Sequence, residues 1–331
     1  MSKFLVVGAG LAGSTIAREL AEAGHAVSVI DSRDHVAGNT YDYANKFGIR
    51  IHKYGPHLFH TNNKVVFDYL SRFTSWVPYE HRVQALLSDG THVTFPPNRQ
   101  TKSVVEDVVE TFYRPYTKKM WGKDLEEINP SILNRVPGRD DDEDRYFPND
   151  AYQFMPVAGY TEMVKNMLDH PNITVYMSCP FTKSMEDNYN HVFSSMPIDE
   201  YYDYQFGELE YRSIKFNTQT ITVPSILPTT TVNFTHDGPF TRITEWKKIP
   251  CHGDTDYITT VTTEEPCDYK ENNMERYYPI NDVINKDRYF KYKAMHNPKV
   301  TFIGRCGMYV YLNMDQVVNS SLAQARNFLN D

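Results

Sequence analysis

The sequence predicts an α/β protein: a discontinuous Rossmann-like dinucleotide-binding domain, a small helical insertion and an antiparallel β-sheet domain. Three observations carry that expectation. The first forty residues read as strand, glycine-rich turn, helix and strand; residues 209–263 are rich in Thr, Val, Ile and Tyr between frequent turns; and a strand, two glycines and an amphipathic helix return at the C-terminus. With 331 residues the chain has room for about two domains, and 40% apolar with 23% charged residues is an ordinary globular composition.

The N-terminal unit is the most legible. Phe4, Leu5, Val6 and Val7 form a buried strand that stops at Gly8-Ala9-Gly10-Leu11-Ala12-Gly13. A helix follows, with Leu11, Ile16 and Leu20 at a 3.6 period, and ends near Gly24, where a left-handed cap costs glycine least. A second strand over residues 26–30 ends in Asp31, 18 positions after Gly13. Strand, helix, strand and acid together match the dinucleotide fingerprint: Gly8 for the tight turn, Gly10 for close approach of a pyrophosphate, Gly13 for helix packing, and a helix N-terminus that favours an anion. Gly8, Gly10, Ala12, Gly13 and Asp31 are therefore expected to bind a cofactor. The small polar turn at Gly38-Asn39 soon after Asp31 favours FAD over NAD, because NAD domains usually proceed to another regular α/β unit.

Further along, Lys53 to Thr61 holds a Gly-Pro turn between aromatics and two histidines, His57 and His60, without the third ligand a metal site needs. Residues 79–95 read as a hairpin around Asp89-Gly90, residues 102–120 as a helix, residues 140–144 as a solvated acidic loop, residues 161–168 as a helix and 173–176 as a strand. A strand over residues 299–303 and a helix from about Asp315 to Leu329 close the chain, the N-terminus of that helix suiting a reduced, anionic flavin. The expected domains are 1–76, 158–200 and 296–331 for FAD; 98–145 for the helical region with a mobile loop; and 77–97 with 201–295 for the sheet that binds substrate.

Composition narrows the function. With 34 basic and 42 acidic residues the net charge is −8, against a nucleic-acid or membrane surface as the main partner. No apolar run approaches the ~20 residues of a bilayer span, and no signal peptide is visible, so a cytoplasmic protein is expected. Four scattered cysteines predict free thiols and no structural zinc. The 24 tyrosines exceed what a core needs, and some are expected to line a polar ligand site.

Several segments in order resemble the UDP-galactopyranose mutase family along nearly the whole chain. They include Gly8 to Gly13, Gly38-Asn39, the run Tyr54 to Thr61, Tyr116-Thr117-Lys118-Lys119-Met120-Trp121-Gly122, Arg145-Tyr146-Phe147, Tyr152-Gln153, Gly159-Tyr160-Thr161, Pro239-Phe240-Thr241-Arg242, Tyr277-Tyr278-Pro279 and the run Gly304 to Asp315. The resemblance implies an isomerase in which reduced FAD attacks the anomeric carbon through N5. UDP leaves, the flavin-sugar adduct opens, and the sugar recloses between pyranose and furanose forms with no net redox change. It implies that Arg139 and Arg242 hold the departing diphosphate, which a guanidinium does bidentately, and that losing either harms turnover more than folding. It places Tyr152, Tyr278 and Tyr311 on the diphosphate and sugar, and Phe112, Tyr113, Tyr116 and Trp121 on the uridine, although Phe112 also completes an apolar stripe and reads equally well as core. It places His60 beside the flavin, and His57, Arg305 and Met314 in contact with it.

Two departures stand out. Between Pro97 and Tyr116 the chain is several tens of residues shorter than usual for the family, in the region that normally supplies the homodimer contact. In the C-terminal motif Asn313 replaces an aspartate and Val310 an arginine, and an amide both donates and accepts where a carboxylate only accepts. The substrate is therefore expected to be UDP-galactopyranose or a relative such as UDP-arabinopyranose, UDP-N-acetylgalactosamine or a deoxysugar on dTDP. The competing readings are an FAD oxidoreductase of amine-oxidase type and a nucleotide-sugar-binding protein without turnover.

Overall fold

Five parallel strands form the first sheet of the computed structural model, which describes residues 1–127 and 138–330. In spatial order they are Ile173–Tyr176, Ala26–Ile30, Lys3–Val7, His191–Ser194 and Val300–Phe302. The central strand is apolar on both faces, with Leu5 and Val6 fully buried, because helices cover one side and a second apolar cluster the other. Helix Leu11–Glu22 packs against the C-terminal helix Met314–Asn330 and against Tyr160–Leu168. Ile16, Ala17 and Leu20 make its buried stripe at the spacing the sequence predicts. A strand near the C-terminus, Val300–Phe302, thus completes a sheet begun by the first thirty residues.

The second sheet has seven strands in the order Tyr278–Pro279, Tyr211–Ile221, Thr259–Asp268, Arg242–Glu245, Thr231–Phe234, Val83–Leu86 and His92–Phe95. Its pairs are antiparallel except one: Thr231–Phe234 runs parallel to Val83–Leu86 and joins the early hairpin to the later strands. Smaller pairings bridge the two sheets. Phe59–Thr61 and Trp76–Pro78 flank Tyr152–Pro156, with His60 opposite Gln153 and Thr61 opposite Tyr152, while Asp42–Ala44 pairs with Arg50–His52.

The single helix predicted over residues 102–120 is broken. Helix Arg99–Val104 stops because Val105 turns extended and buries its side chain in a cluster with Val83, Ala85, Val93, Phe95 and Phe112. The Asp107 carboxylate then accepts from the main-chain nitrogens of Val109 and Glu110 (2.9 and 3.0 Å) and starts a wide π-type turn, Val109–Tyr113, which runs into helix Arg114–Trp121. Burial of one valine outweighs continuation of the helical pattern. The acidic run 140–144 is exposed at most positions and pairs with four cations, Lys102 to Asp140 (2.7 Å), Arg82 to Asp144 (3.0 Å), Arg145 to Glu143 (2.7 Å) and Arg99 to Asp142. Residues 128–137, within the predicted helical region, lie outside the described residues.

Candidate active site

Where the first strand meets the first helix, the backbone opens a cavity of about 470 Å³. Gly8, Gly10, Ala12, Asp31, Gly38, Asn39, His57, Arg305 and Met314 all line it. Gly13, the remaining predicted cofactor residue, stands behind the wall: a Cβ there would lie 1.9 Å from the Gly8 carbonyl oxygen and 2.9 Å from Val6 Cγ1, so its bareness lets the helix seat on the strand. Gly8 adopts φ +104°, and a Cβ on it would sit 2.0 Å from Ser195 Oγ. The helix enters at Gly10 with no side-chain cap and no acidic residue in its first turn, which leaves its positive end and free N–H groups to an external anion. Asp31 is fixed beside this turn, its two oxygens accepting from the main-chain nitrogens of Ala9 (2.8 Å) and Arg33 (2.9 Å). The volume, the uncapped helix end and the acid fit a dinucleotide.

Sequence reasoning missed part of this wall. Arg33 spans the cavity to pair with Glu275, donates to Asn39 Oδ1 (2.9 Å) and lies over the Tyr54 ring (4.3 Å). Its partner is 242 positions away, so no local pattern announces the contact.

A second group of predicted residues meets around the central strands of the seven-stranded sheet. The register sets Arg242 opposite Glu264, and Arg242 Nε lies 2.7 Å from Glu264 Oε1. The Glu264 side chain is only 1% exposed, that of Arg242 34%. Burial alone would lower the guanidinium pKa, but the adjacent carboxylate outweighs it and holds the arginine charged. Tyr278 and Tyr116 lie in the same electrostatic neighbourhood. Tyr278 stacks on Tyr311 (centroids 5.9 Å apart, planes at 13°), and Arg305 lies over the Tyr311 ring at 4.7 Å. Arg305 also donates to the carbonyls of Tyr277 (3.0 Å) and Leu312 (2.7 Å), clamping the two tyrosine-bearing segments together. His57 joins this group to the cavity. Its pKa is pushed down to about 4 by burial, with Arg305 and Arg242 adding to the effect, so its ring is neutral at neutral pH.

His60 and Asn313 share a cleft of about 410 Å³ with Asp150 and Asp315. His60 Nδ1 donates to Asp150 Oδ2 at 2.5 Å and the ring stacks on Phe147 at 3.6 Å, two partners sequence reasoning did not assign. Asp315 accepts from Thr61 Oγ1 (2.8 Å), which ties the start of the C-terminal helix to the same cleft.

Other predicted residues are engaged elsewhere. Phe112 is 5% exposed and packs into the Val83–Val105 cluster, so of its two readings the structure favours core. Tyr152 stands on the opposite face of its strand from Gln153 and stacks on Phe67 (4.5 Å), away from the His60 side. The Arg139 guanidinium donates to the carbonyls of Arg145 (2.6 Å) and Tyr146 (3.1 Å), while the acidic run beside it pairs with other cations. Tyr113 is half-buried and Tyr116 exposed on the helical segment. Trp121 ends that segment half-buried, its indole nitrogen buried with no partner among the described residues; Arg212 secures the helix end through Met120 O (2.6 Å).

Cradle, arginine pair and stacked tyrosines define a class first: a Rossmann-type dinucleotide-binding protein with a second, cation-bearing site on an adjoining sheet. Comparison with known proteins refines it. The model of the family described as UDP-galactopyranose mutase matches residues 111–311, and that of an NAD(P)-binding Rossmann-like domain matches residues 6–73. The chain is 34% identical to a probable UDP-galactopyranose mutase of Klebsiella pneumoniae, over 98% of this chain and 94% of that protein. It is 32% identical to a dTDP-fucopyranose mutase of Escherichia coli, over 99% of both. A crystal structure of reduced UDP-galactopyranose mutase superposes with a TM-score of 0.77 at 15% identity, covering 100% of this chain and 94% of that one. The chain therefore belongs to the UDP-galactopyranose mutase family and is an isomerase-type enzyme. The Klebsiella alignment runs to 367 positions against a chain of 331 residues, so this member is the shorter by tens of positions. Among the described residues no helix is long and apolar enough to cross a membrane.

Proposed function

We propose that the protein is a flavin-dependent nucleotide-sugar mutase that interconverts the pyranose and furanose forms of a UDP- or dTDP-linked sugar. The observation that carries this is Arg242, held charged by a buried carboxylate beside the cofactor cavity, where a diphosphate leaving the anomeric carbon needs a cation. The cavity's glycine wall, uncapped helix and Asp31 would hold FAD, which when reduced supplies an electron-rich nitrogen nucleophile. Arg242 binds the diphosphate as the bond from anomeric carbon to phosphate oxygen breaks, its electron pair leaving with the nucleotide, and returns the diphosphate to the same carbon once a different sugar hydroxyl has closed the ring. Tyr278 and Tyr311 would flank that anion and Tyr113, Tyr116 and Trp121 would face the base, while Arg139 would have to leave the carbonyls of Arg145 and Tyr146 to join them. The neutral ring of His57 adds no third cation to compete for the phosphates.

Two nucleotides are kept in the proposal because similar relatives carry names of both kinds, a UDP-galactopyranose mutase and a dTDP-fucopyranose mutase. The test is a chromatographic assay of dithionite-reduced protein with UDP-galactose, UDP-arabinopyranose, UDP-N-acetylgalactosamine and dTDP-fucose, with oxidised protein as control. Furanose product only after reduction, with no net flavin oxidation, is the expected result. Stoichiometric oxidant consumption would point to an oxidase, and tight nucleotide-sugar binding without conversion to a binding protein.

A further inference from the structure

Deep between the two sheets lies a pair of histidines that the proposed chemistry does not use. His52, at the end of strand Arg50–His52, and His252, in the loop after Trp246–Lys248, are each 1% exposed, and their Nε2 atoms are 2.9 Å apart. The bonds around them permit one arrangement of protons. The main-chain N–H of His57 can only donate, and it points at His52 Nδ1 (3.0 Å), so that nitrogen carries a lone pair. The His52 proton is then on Nε2 and is given to His252 Nε2. His252 keeps its own proton on Nδ1, donated to the Pro250 carbonyl (2.9 Å). Adding a proton to either ring would set two N–H groups against each other. Trp246 and Tyr160 close over His52, with ring centroids 5.0 and 5.6 Å away, and Arg50 N donates to His252 O (2.8 Å), so the relay cannot slide.

The end of the relay is the cavity wall. Gly55 turns the chain at φ +85° with Phe216 packed against it, and the His57 ring returns its Nδ1 proton to Gly55 O (2.8 Å). The turn that brings His57 to the cavity is thus held from within by the Gly55 carbonyl and from outside by the His52 bond on the main chain of His57, with Tyr54 beside it bonded to His35 (2.8 Å). We propose that His52 is a positioning residue for the cofactor wall: its Nδ1 holds the main chain of His57, and His252 sets the tautomer that makes this possible. Burial lowers the pKa of both rings, that of His252 to about 4, consistent with a neutral pair.

The proposal rests on the flavin reading, and its test separates the two bonds of one ring. His52→Asn leaves an acceptor where Nδ1 stands but gives up His252; His52→Gln leaves a donor where Nε2 stands but gives up His57. In the FAD-loaded protein, His52→Gln is expected to raise the FAD dissociation constant about tenfold, the effect of one lost buried hydrogen bond, and to move the flavin absorption towards that of free FAD. His52→Asn is expected to stay near wild type in both. Equal effects from the two variants, or none from His52→Gln, would overturn the proposal. Ring nitrogen NMR of the 15N-histidine-labelled wild type tests it without any substitution: the proton belongs on Nε2 of His52 and Nδ1 of His252, and any other pairing overturns the relay. Wild-type protein that takes up no FAD would overturn the flavin reading instead, with the ring-nitrogen spectrum still deciding the relay.

Discussion

At the scale of single residues, the pairing of Arg242 with Glu264 changes what a mutation can report. The sequence predicts that losing this arginine harms turnover more than folding. The structure qualifies that, because Arg242→Ala strands a carboxylate whose side chain is 1% exposed, at a cost of about 3–5 kcal/mol for an unpaired buried charge. The informative variant is Arg242→Gln combined with Glu264→Gln, a neutral pair able to hydrogen-bond. Turnover in it should fall by about 100- to 1,000-fold, as for loss of a group that stabilises developing charge, while a thermal melt remains near wild type. Turnover close to wild type would remove the diphosphate role. Asn313 lies in the His60 cleft, and Asn313→Asp is expected to shift competition assays towards UDP-galactose; an unchanged ranking of sugars would place selectivity elsewhere.

At the scale of elements, the strand-turn-helix unit makes opposite demands at two glycines. Gly13→Ala would drive a Cβ to 1.9 Å from the Gly8 carbonyl, lifting the helix off the strand, so both flavin uptake and the melting temperature should drop sharply. Gly24 caps the same helix at φ +87° with open space around it. There Gly24→Ala should cost only the left-handed backbone penalty, roughly 1–2 kcal/mol, and leave flavin uptake unchanged in an FAD titration. If the two variants lose FAD alike, the cradle does not depend on helix seating. The broken helical segment makes a related point: the sequence pattern over residues 102–120 is helical, yet Val105 leaves the helix because a hairpin from residues 83–95 offers it a core.

For the whole molecule, buried histidines set the acid limit of the fold. Burial pushes His52 well below its ordinary 6.5, His252 and His57 to about 4, and His81 to about 3. Between those values and 6.5 the unfolded chain binds protons that the folded one does not, so stability is complete above about pH 6.5 and declines as the pH falls towards 4. His252 alone accounts for on the order of 3 kcal/mol. Melting temperatures at pH 7 and pH 5 should therefore differ, with the lower value at pH 5; equal values would mean these rings are not held neutral.

The sequence by itself determined the local chemistry. Its apolar runs, its glycines at fixed offsets and the acid after the second strand specify the cradle, because those demands are met within thirty consecutive residues. The family motifs then named most of the residues that the structure gathers around Arg242. Only the tertiary structure decided what those residues touch. Glu264 reaches Arg242 through strand register, His252 reaches His52 across 200 positions, Glu275 closes on Arg33, and Tyr152 faces Phe67 because alternation along its strand turns it from His60. For Glu264 and Tyr152 the partner is chosen by which strands pair and in what register, and for His252 and Glu275, which stand in loops, by how folding of the core brings distant segments together; neither choice is written beside the residue.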